Sequence, residues 1–431
     1  MILSGASIRT QTIVNIETAM ENAEVTVLNG IRRGGKSFIL RAVMDRLRAK
    51  GVQNSNIIYL DFEKFAFSSP RAVRELRQSI QQLITGDERY YLFLDEIQCA
   101  TGWEKVLSAF AAQNNVVMCI AVSGMAFDKK SKKKFGGNNW NEQKVCPFSY
   151  SEYKHLYKNI NEASCSVGLL RKALSIKQDS NAIFESYLER GGFPSTLDDE
   201  GGSLESKLND IYTSIIYHDV LMRYQINNAE LLERVVKYIF ENLGDECSAP
   251  KLAALFKREH FTKNLSAISS ILNFIEAAHL VVRVRVVNLA KQKVQSAHSK
   301  YYIGCHSLFY GVSGSTNGMR RVLCENILVN ELCCRGYTVY TGRFFSFTID
   351  FIAQSSTETL CIQTLTAEDD EKVIKRKKDA LKAVHEAFET SLPVLFYFVF
   401  MDTAEMEKYN EGVIENISLP EFLLNAENEP A

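Results

Sequence analysis

Four short apolar runs punctuate the first 150 residues: EVTVLNG (24–30), NIIYLDFE (56–63), YYLFLDE (90–96) and VVMCIAVSG (116–124). Each has the length and the β-branched or aromatic content of a strand buried on both faces. Between them the apolar spacing is helical. SFILRAVMDRLRAK sets Ile39, Val43 and Leu47 on one face, and PRAVRELRQSIQQLI begins at Pro70. Strands alternating with helices predict an α/β domain with a parallel sheet, because parallel neighbours need long crossovers. EQKVCPF (142–148) is the expected fifth strand.

The first run leads directly into Gly30-Ile31-Arg32-Arg33-Gly34-Gly35-Lys36-Ser37, which fits G-x-x-x-x-G-K-[ST]. After a strand and before a helix, such a loop turns its backbone N–H groups toward phosphate. Lys36 is expected to reach the β- and γ-phosphates of ATP and Ser37 to ligate Mg2+, with Phe38 following on the first helical turn. The third run ends in Asp95-Glu96, about 60 residues after the loop, and a parallel sheet delivers both to the same carboxyl edge. Asp95 is expected to hold Mg2+ through water and Glu96 to polarise the attacking water. Ser123 ends the fourth run, placed to sense the γ-phosphate or simply to form a turn. Arg32 and Arg33 have two readings, as forks onto a phosphate or a neighbouring subunit's carboxylate, or as structural partners of Asp or Glu on the lid.

The rest of the chain changes character. From about 150 to 230 it reads as helical, broken by RGGFP (190–194). Three helical stretches then precede two strand-like stretches, VRVRVVN and KYYIG, the order of a winged helix. GVSGSTNG (311–318) is the expected linker. After it come a helix, three strands, a charged helix and a last strand. The 431 residues allow several domains, and 46% hydrophobic with 23% charged residues suits sizeable cores. A net charge of −1 excludes a globally basic nucleic-acid binder, so any such surface is local. There is no C-x-x-C pair, no apolar run of 18 residues and no signal-like start. A cytoplasmic protein without a membrane partner is expected.

GIRRGGKS, LFLDEIQCATGWEKVL, VCPFSYSEY, RGGFP and HDVLMRYQI, in that order, resemble a family of bacterial and archaeal AAA+-type P-loop ATPases. These carry a winged-helix segment and a C-terminal restriction-endonuclease-like domain of unknown function. The likeness runs from about residue 20 to 425. It implies sheet order 5-1-4-3-2 and four parts: an ATPase core (1–153), a helical lid (154–228), a winged helix (229–310) and an inactive endonuclease-like domain (319–425). One departure stands out. The family usually has Gly-Arg where this chain has Gly137-Asn138, and often serine at Met125. Losing a cationic sensor predicts ATP binding with slow hydrolysis, since such a group contributes about 10³-fold or more. Arg190 and Arg223 are the candidate replacements, Arg223 by its match to the family's D-[IV]-x-x-R.

Two further surfaces are read from the residues themselves. Lys263, Asn264, Ser266, Ser269 and Ser270 on the third helix of the winged segment, with Arg283, Arg285, Lys291 and Lys293 on its hairpin, could contact DNA phosphates or serve only for packing. Lys129, Lys130, Lys132, Lys133 and Lys134 form a lysine loop, read either as simply solvated or as tracking a nucleic-acid backbone. Glu325, Asp350 and Gln363 fall where a restriction-endonuclease fold holds its metal, but Leu365 stands at the lysine position. Lys372 or Lys375 would have to replace it. The expectation is an ATP-dependent switch acting on DNA or a protein partner, with possible self-assembly. An ATP-gated nuclease and a non-hydrolysing scaffold are the alternatives.

Overall fold

The computed structural model describes residues 9–23, 25–64, 70–100, 102–111, 113–124, 140–162, 180–197, 202–261, 264–291, 293–316, 318–387, 392–401 and 412–425. The chain divides into two compact units, residues 1–147 and 148–431.

In the first unit, helix α1 (Thr10–Asn22) precedes β1 (Val25–Gly30), α2 (Lys36–Ala49), β2 (Ile57–Asp61) and α3 (Pro70–Leu83). β3 (Tyr90–Asp95), α4 (Glu104–Phe110), β4 (Val116–Ser123) and β5 (Trp140–Lys144) follow. The five strands run β2-β3-β4-β1-β5, every pair parallel. That is the order the family resemblance implied. Alternation along the strands fills two cores. Val25, Val27, Leu92, Leu94, Met118 and Ile120 pack with Val73 and Ile80 of α3 and Val106, Leu107 and Phe110 of α4. Leu28, Phe93, Val117, Cys119 and Ala121 pack with Ile13, Ile16 and Met20 of α1 and Ile39, Leu40, Val43 and Leu47 of α2. Burial on both faces is why these strands read as unbroken apolar runs.

The fifth strand lies earlier than expected, at Trp140–Lys144 rather than 142–148. The Val145 N–H still donates to the Asn29 carbonyl at 2.7 Å, but Pro147 has no N–H to extend the ladder.

The second unit is built on an eight-stranded mixed sheet, ordered β13-β12-β11-β10-β9-β7-β8-β6. Its strands are β6 (Glu246–Cys247), β7 (Val281–Asn288), β8 (Lys293–Ile303), β9 (Thr338–Phe344), β10 (Phe347–Gln354), β11 (Thr359–Leu365), β12 (Val394–Phe400) and β13 (Ile414–Ser418). Helices Ala229–Glu241, Ala249–Arg258 and Leu265–Ala277 precede the β7–β8 hairpin. Each is capped by a side chain, Asn228, Ser248 and Asn264 in turn, accepting from a backbone N–H of the first turn. β7 pairs antiparallel with β8 and parallel with β9, so the hairpin and the strands after residue 319 share one sheet. The expected linker begins inside helix Leu308–Ser313. A Cβ on Gly311 would come within 2.5 Å of the Leu208 Cβ, so this glycine serves close packing.

Candidate nucleotide site

The loop from Gly30 to Gly35 crosses from β1 to α2 at the carboxyl edge of the parallel sheet. At Gly30 a Cβ would lie 2.0 Å from the Val145 carbonyl oxygen, so only glycine fits. Gly35 has φ 100°, and Arg33 takes φ 63°, uncommon for a residue with a side chain. α2 begins at Lys36, so its first-turn N–H groups open toward the loop. The buried Lys36 Nζ donates to the carbonyls of Gly30 at 3.2 Å and Ile31 at 2.9 Å, and lies 3.6 Å from Glu96. Ser37 is half-buried beside it, while Phe38 and Arg33 face outward. Arg32 is buried and bonds to Glu63, just after β2 in the same unit, rather than to a carboxylate of the expected lid.

Asp95 ends β3 and is buried. Its Oδ2 accepts from the Tyr59 hydroxyl at 2.8 Å, and the Ser37 hydroxyl lies near enough to favour its charged form. The other oxygen, Oδ1, is buried with no hydrogen-bond partner. Burial raises the pKa of Asp95 above the usual carboxylate value, against the lowering effect of Ser37 and Tyr59. A carboxylate oxygen left unpartnered near a serine hydroxyl suits a Mg2+ site, since this ion takes few ligands from the protein and most of its oxygens from water and phosphate. Among the described residues no cluster of three or more His, Cys, Asp or Glu offers an all-protein metal site.

Glu96 follows at φ 52°, a left-handed turn that swings its carboxylate away from the course of the strand. Its Oε1 accepts from the Ser123 hydroxyl at 2.6 Å, and its Oε2 from the Gln98 amide. Burial opposes its charge, but Lys36, Arg32, Ser123 and Gln98 outweigh burial and hold its pKa below the ordinary value. It is therefore an ionised base at neutral pH. Lys36, Ser37, Asp95, Glu96 and Ser123 thus converge as the motifs imply. Sequence reasoning missed Tyr59, Gln98, Glu63 and Arg9. Gln98 was within reach, two residues beyond Glu96 in DEIQ. Tyr59 acts across a strand pair and lies in no motif.

Other expected residues fall elsewhere. Arg223 lies in the second unit, 3.5 Å from the fully buried Asp219, at the end of a π-helical turn (Ile215–Met222). Arg190 donates to the Thr196 carbonyl at 3.3 Å and braces the RGGFP turn. Met125, Gly137, Asn138, Lys263 and the lysine loop lie outside the described residues. Beside the β7–β8 hairpin, Glu276 takes both Arg285 at 3.3 Å and Arg283 at 3.8 Å. Phe274 is covered by Tyr224, the rings stacked 3.9 Å apart.

Glu325 and Asp350 do meet. Thr364 Oγ1 lies 3.3 Å from Glu325 Oε1 and 3.1 Å from Asp350 Oδ2. Gln363 is not available as a ligand. Its amide donates to the Thr348 carbonyl at 2.8 Å and accepts from the Asp350 N–H at 3.3 Å. A lysine does enter from the following helix (Glu371–Ala387), but it is Lys377, 2.8 Å from Asp350, rather than Lys372 or Lys375.

Comparison with known proteins matches residues 22–154 to a family model described as an AAA domain, and residues 181–317 to a domain of unknown function. An uncharacterised protein of Haemophilus influenzae is 27% identical over 79% of this chain and 82% of its own length. One of Methanocaldococcus jannaschii is 24% identical over 85% and 81%. Among solved structures, a Walker-type ATPase of Pyrococcus abyssi covers 71% of this chain and 95% of its own, at 15% identity and a TM-score of 0.44. The Aeropyrum pernix Orc1 protein, solved with DNA, covers 72% and 94%, at 16% identity and a TM-score of 0.34.

Proposed function

We propose that the AAA-type P-loop ATPase domain matched at residues 22–154 makes this protein a slow nucleotide-dependent switch that binds ATP with Mg2+ and reports its state to a protein partner. The observation that carries it is the strand end behind the phosphate loop, where Asp95 keeps one oxygen buried and unpartnered and Glu96 is held by Ser123 and lies 3.6 Å from Lys36. The Lys36 ammonium would leave the loop carbonyls for the β- and γ-phosphates, trading two neutral acceptors for charged ones. Glu96, oriented by Ser123 and Gln98, would take the proton of the attacking water. Mg2+ held by Ser37 and Asp95 would supply charge neutralisation on the phosphates.

Slow turnover follows from the neutral Ser123 at the sensing strand and from the Gly-Asn that replaces the family's Gly-Arg. Arg223 is the proposed finger, acting from this chain or from a second copy. The assignment of parts as core (1–153), lid (154–228), winged helix (229–310) and inactive endonuclease-like domain (319–425) belongs to the same proposal. A protein partner is favoured over DNA because Glu276 pairs with Arg283 and Arg285 and cancels one of their two charges, and β9 flanks the strand that carries them.

The test is steady-state ATP turnover with and without double-stranded DNA, with Glu96→Gln as the blank. We expect slow turnover that DNA leaves unchanged, nucleotide binding retained in Glu96→Gln, and binding lost in Lys36→Ala. Retained binding in Lys36→Ala would overturn the site assignment. Turnover stimulated by DNA would overturn the choice of partner.

A further inference from the structure

Arg9 lies before the residues matched to the AAA domain and in none of the motifs. It sits at the N-cap of α1 with φ 62°, and its side chain is buried. One guanidinium nitrogen donates to the Gly34 carbonyl at 3.1 Å and the other to the Cys146 carbonyl at 2.7 Å. Burying a guanidinium is costly unless its donors are used, and here the fork bridges the phosphate loop to the chain that leaves β5.

The peptide it grips joins Gly34 to Gly35. In a trans peptide the C=O and the next N–H point in opposite directions. A donor held on the Gly34 oxygen therefore fixes the Gly35 N–H on the other side. Both flanking residues are glycine, so no Cβ resists rotation of that peptide. Turned over, it would aim a carbonyl oxygen at phosphate oxygens in place of an N–H. The Ile31 carbonyl accepts from the Gly34 N–H at 3.2 Å, which bears on the preceding peptide and leaves this one to Arg9.

We propose that Arg9 is a positioning residue that pins the Gly34–Gly35 peptide with its N–H toward the nucleotide. This rests on the phosphate-loop reading proposed above. A peptide that serves the β-phosphate is needed equally by ATP and ADP, so its loss acts on binding rather than on the chemical step.

The test measures ATP and ADP affinity by calorimetry, melting temperature, and the separation of KM from kcat, for the full chain and for Arg9→Met and Arg9→Lys. A folded Arg9→Met is expected to bind both nucleotides about tenfold more weakly, with kcat unchanged, since a charge-assisted hydrogen bond is lost. Arg9→Lys, which reaches one carbonyl rather than two, is expected to fall about threefold. Wild-type affinity in Arg9→Met, or a lower kcat with affinity intact, overturns the proposal. If Arg9→Met does not fold, Arg9→Lys decides: weaker ADP binding at an unchanged melting temperature supports the pin, and wild-type affinity overturns it. A wild-type chain that binds neither nucleotide overturns the phosphate-loop reading, and the pin with it.

Discussion

Tyr59 is the residue whose contribution to the nucleotide site was least visible beforehand. Its hydroxyl occupies Asp95 Oδ2, while Oδ1 is buried with no hydrogen-bond partner. Burial and the neighbouring Asp95 push the Tyr59 pKa up to about 12, so it remains a donor at any working pH. Partners of this kind orient a ligating carboxylate, and their loss typically costs about tenfold or more in metal affinity. Tyr59→Phe is expected to raise the Mg2+ concentration needed for half-maximal ATP turnover about tenfold while leaving metal-free ADP binding unchanged. Titrating Mg2+ against both readouts checks it, and equal Mg2+ requirements would remove Tyr59 from the site. Lys36, Ser37, Asp95 and Glu96 were legible because their spacing against strand and helix is enough to place them. Tyr59 and Arg9 were not, because each acts through a contact between elements far apart in sequence.

The strands of the first unit show why some elements are easy to read. A strand buried on both faces must be apolar along its whole length, and four of the five announce themselves that way. β5 lies at the sheet edge, mixes polar and apolar positions as WNEQK, and was placed too late. In the second unit, helix Glu371–Ala387 was expected, but its lysines do not share a face: Lys372 and Lys375 are exposed, while Lys377 is spaced to join Ala380, Leu381 and Val384 on the buried side. Packing on the sheet selects Lys377, which is buried and donates to Asp350 and to the Thr364 carbonyl. Lys377 supplies a positive charge where a metal was considered. Breaking a buried pair from one side leaves an uncompensated charge, so Lys377→Met is expected to destabilise the chain by about 3 kcal/mol, with Lys377→Met/Asp350→Asn recovering part of it. Urea unfolding checks this; a near-zero cost for the single variant would contradict the pairing.

At the scale of the molecule, the division into two units means that unfolding need not follow one transition. The second unit holds a pH-sensitive element of its own. His306 is buried, its Nε2 lies 2.8 Å from the Tyr187 carbonyl and its ring 4.9 Å from the Tyr187 ring. Burial pushes its pKa down to about 4, against the raising effect of the Tyr187 carbonyl. Unfolded, it would titrate near 6.5, so between these values the unfolded state binds more protons. Stability from this group is full above about pH 6.5 and falls as the pH drops toward 4, by about 3 kcal/mol at most. Melting curves from pH 7 to 5 should show that decline, and His306→Phe should flatten it.

By itself the sequence determined the parallel α/β class, the phosphate loop and the acidic strand end, because each depends on local spacing and on which faces of a strand are buried. The family resemblance added the strand order. Only the tertiary structure decided that Arg9 grips the loop from behind, that Tyr59 frees one oxygen of Asp95, and that Lys377 reaches Asp350. It also placed β7 between β8 and β9, joining the hairpin to the later strands. These outcomes depend on which distant surfaces meet when apolar faces are buried, and nothing in local spacing encodes that meeting.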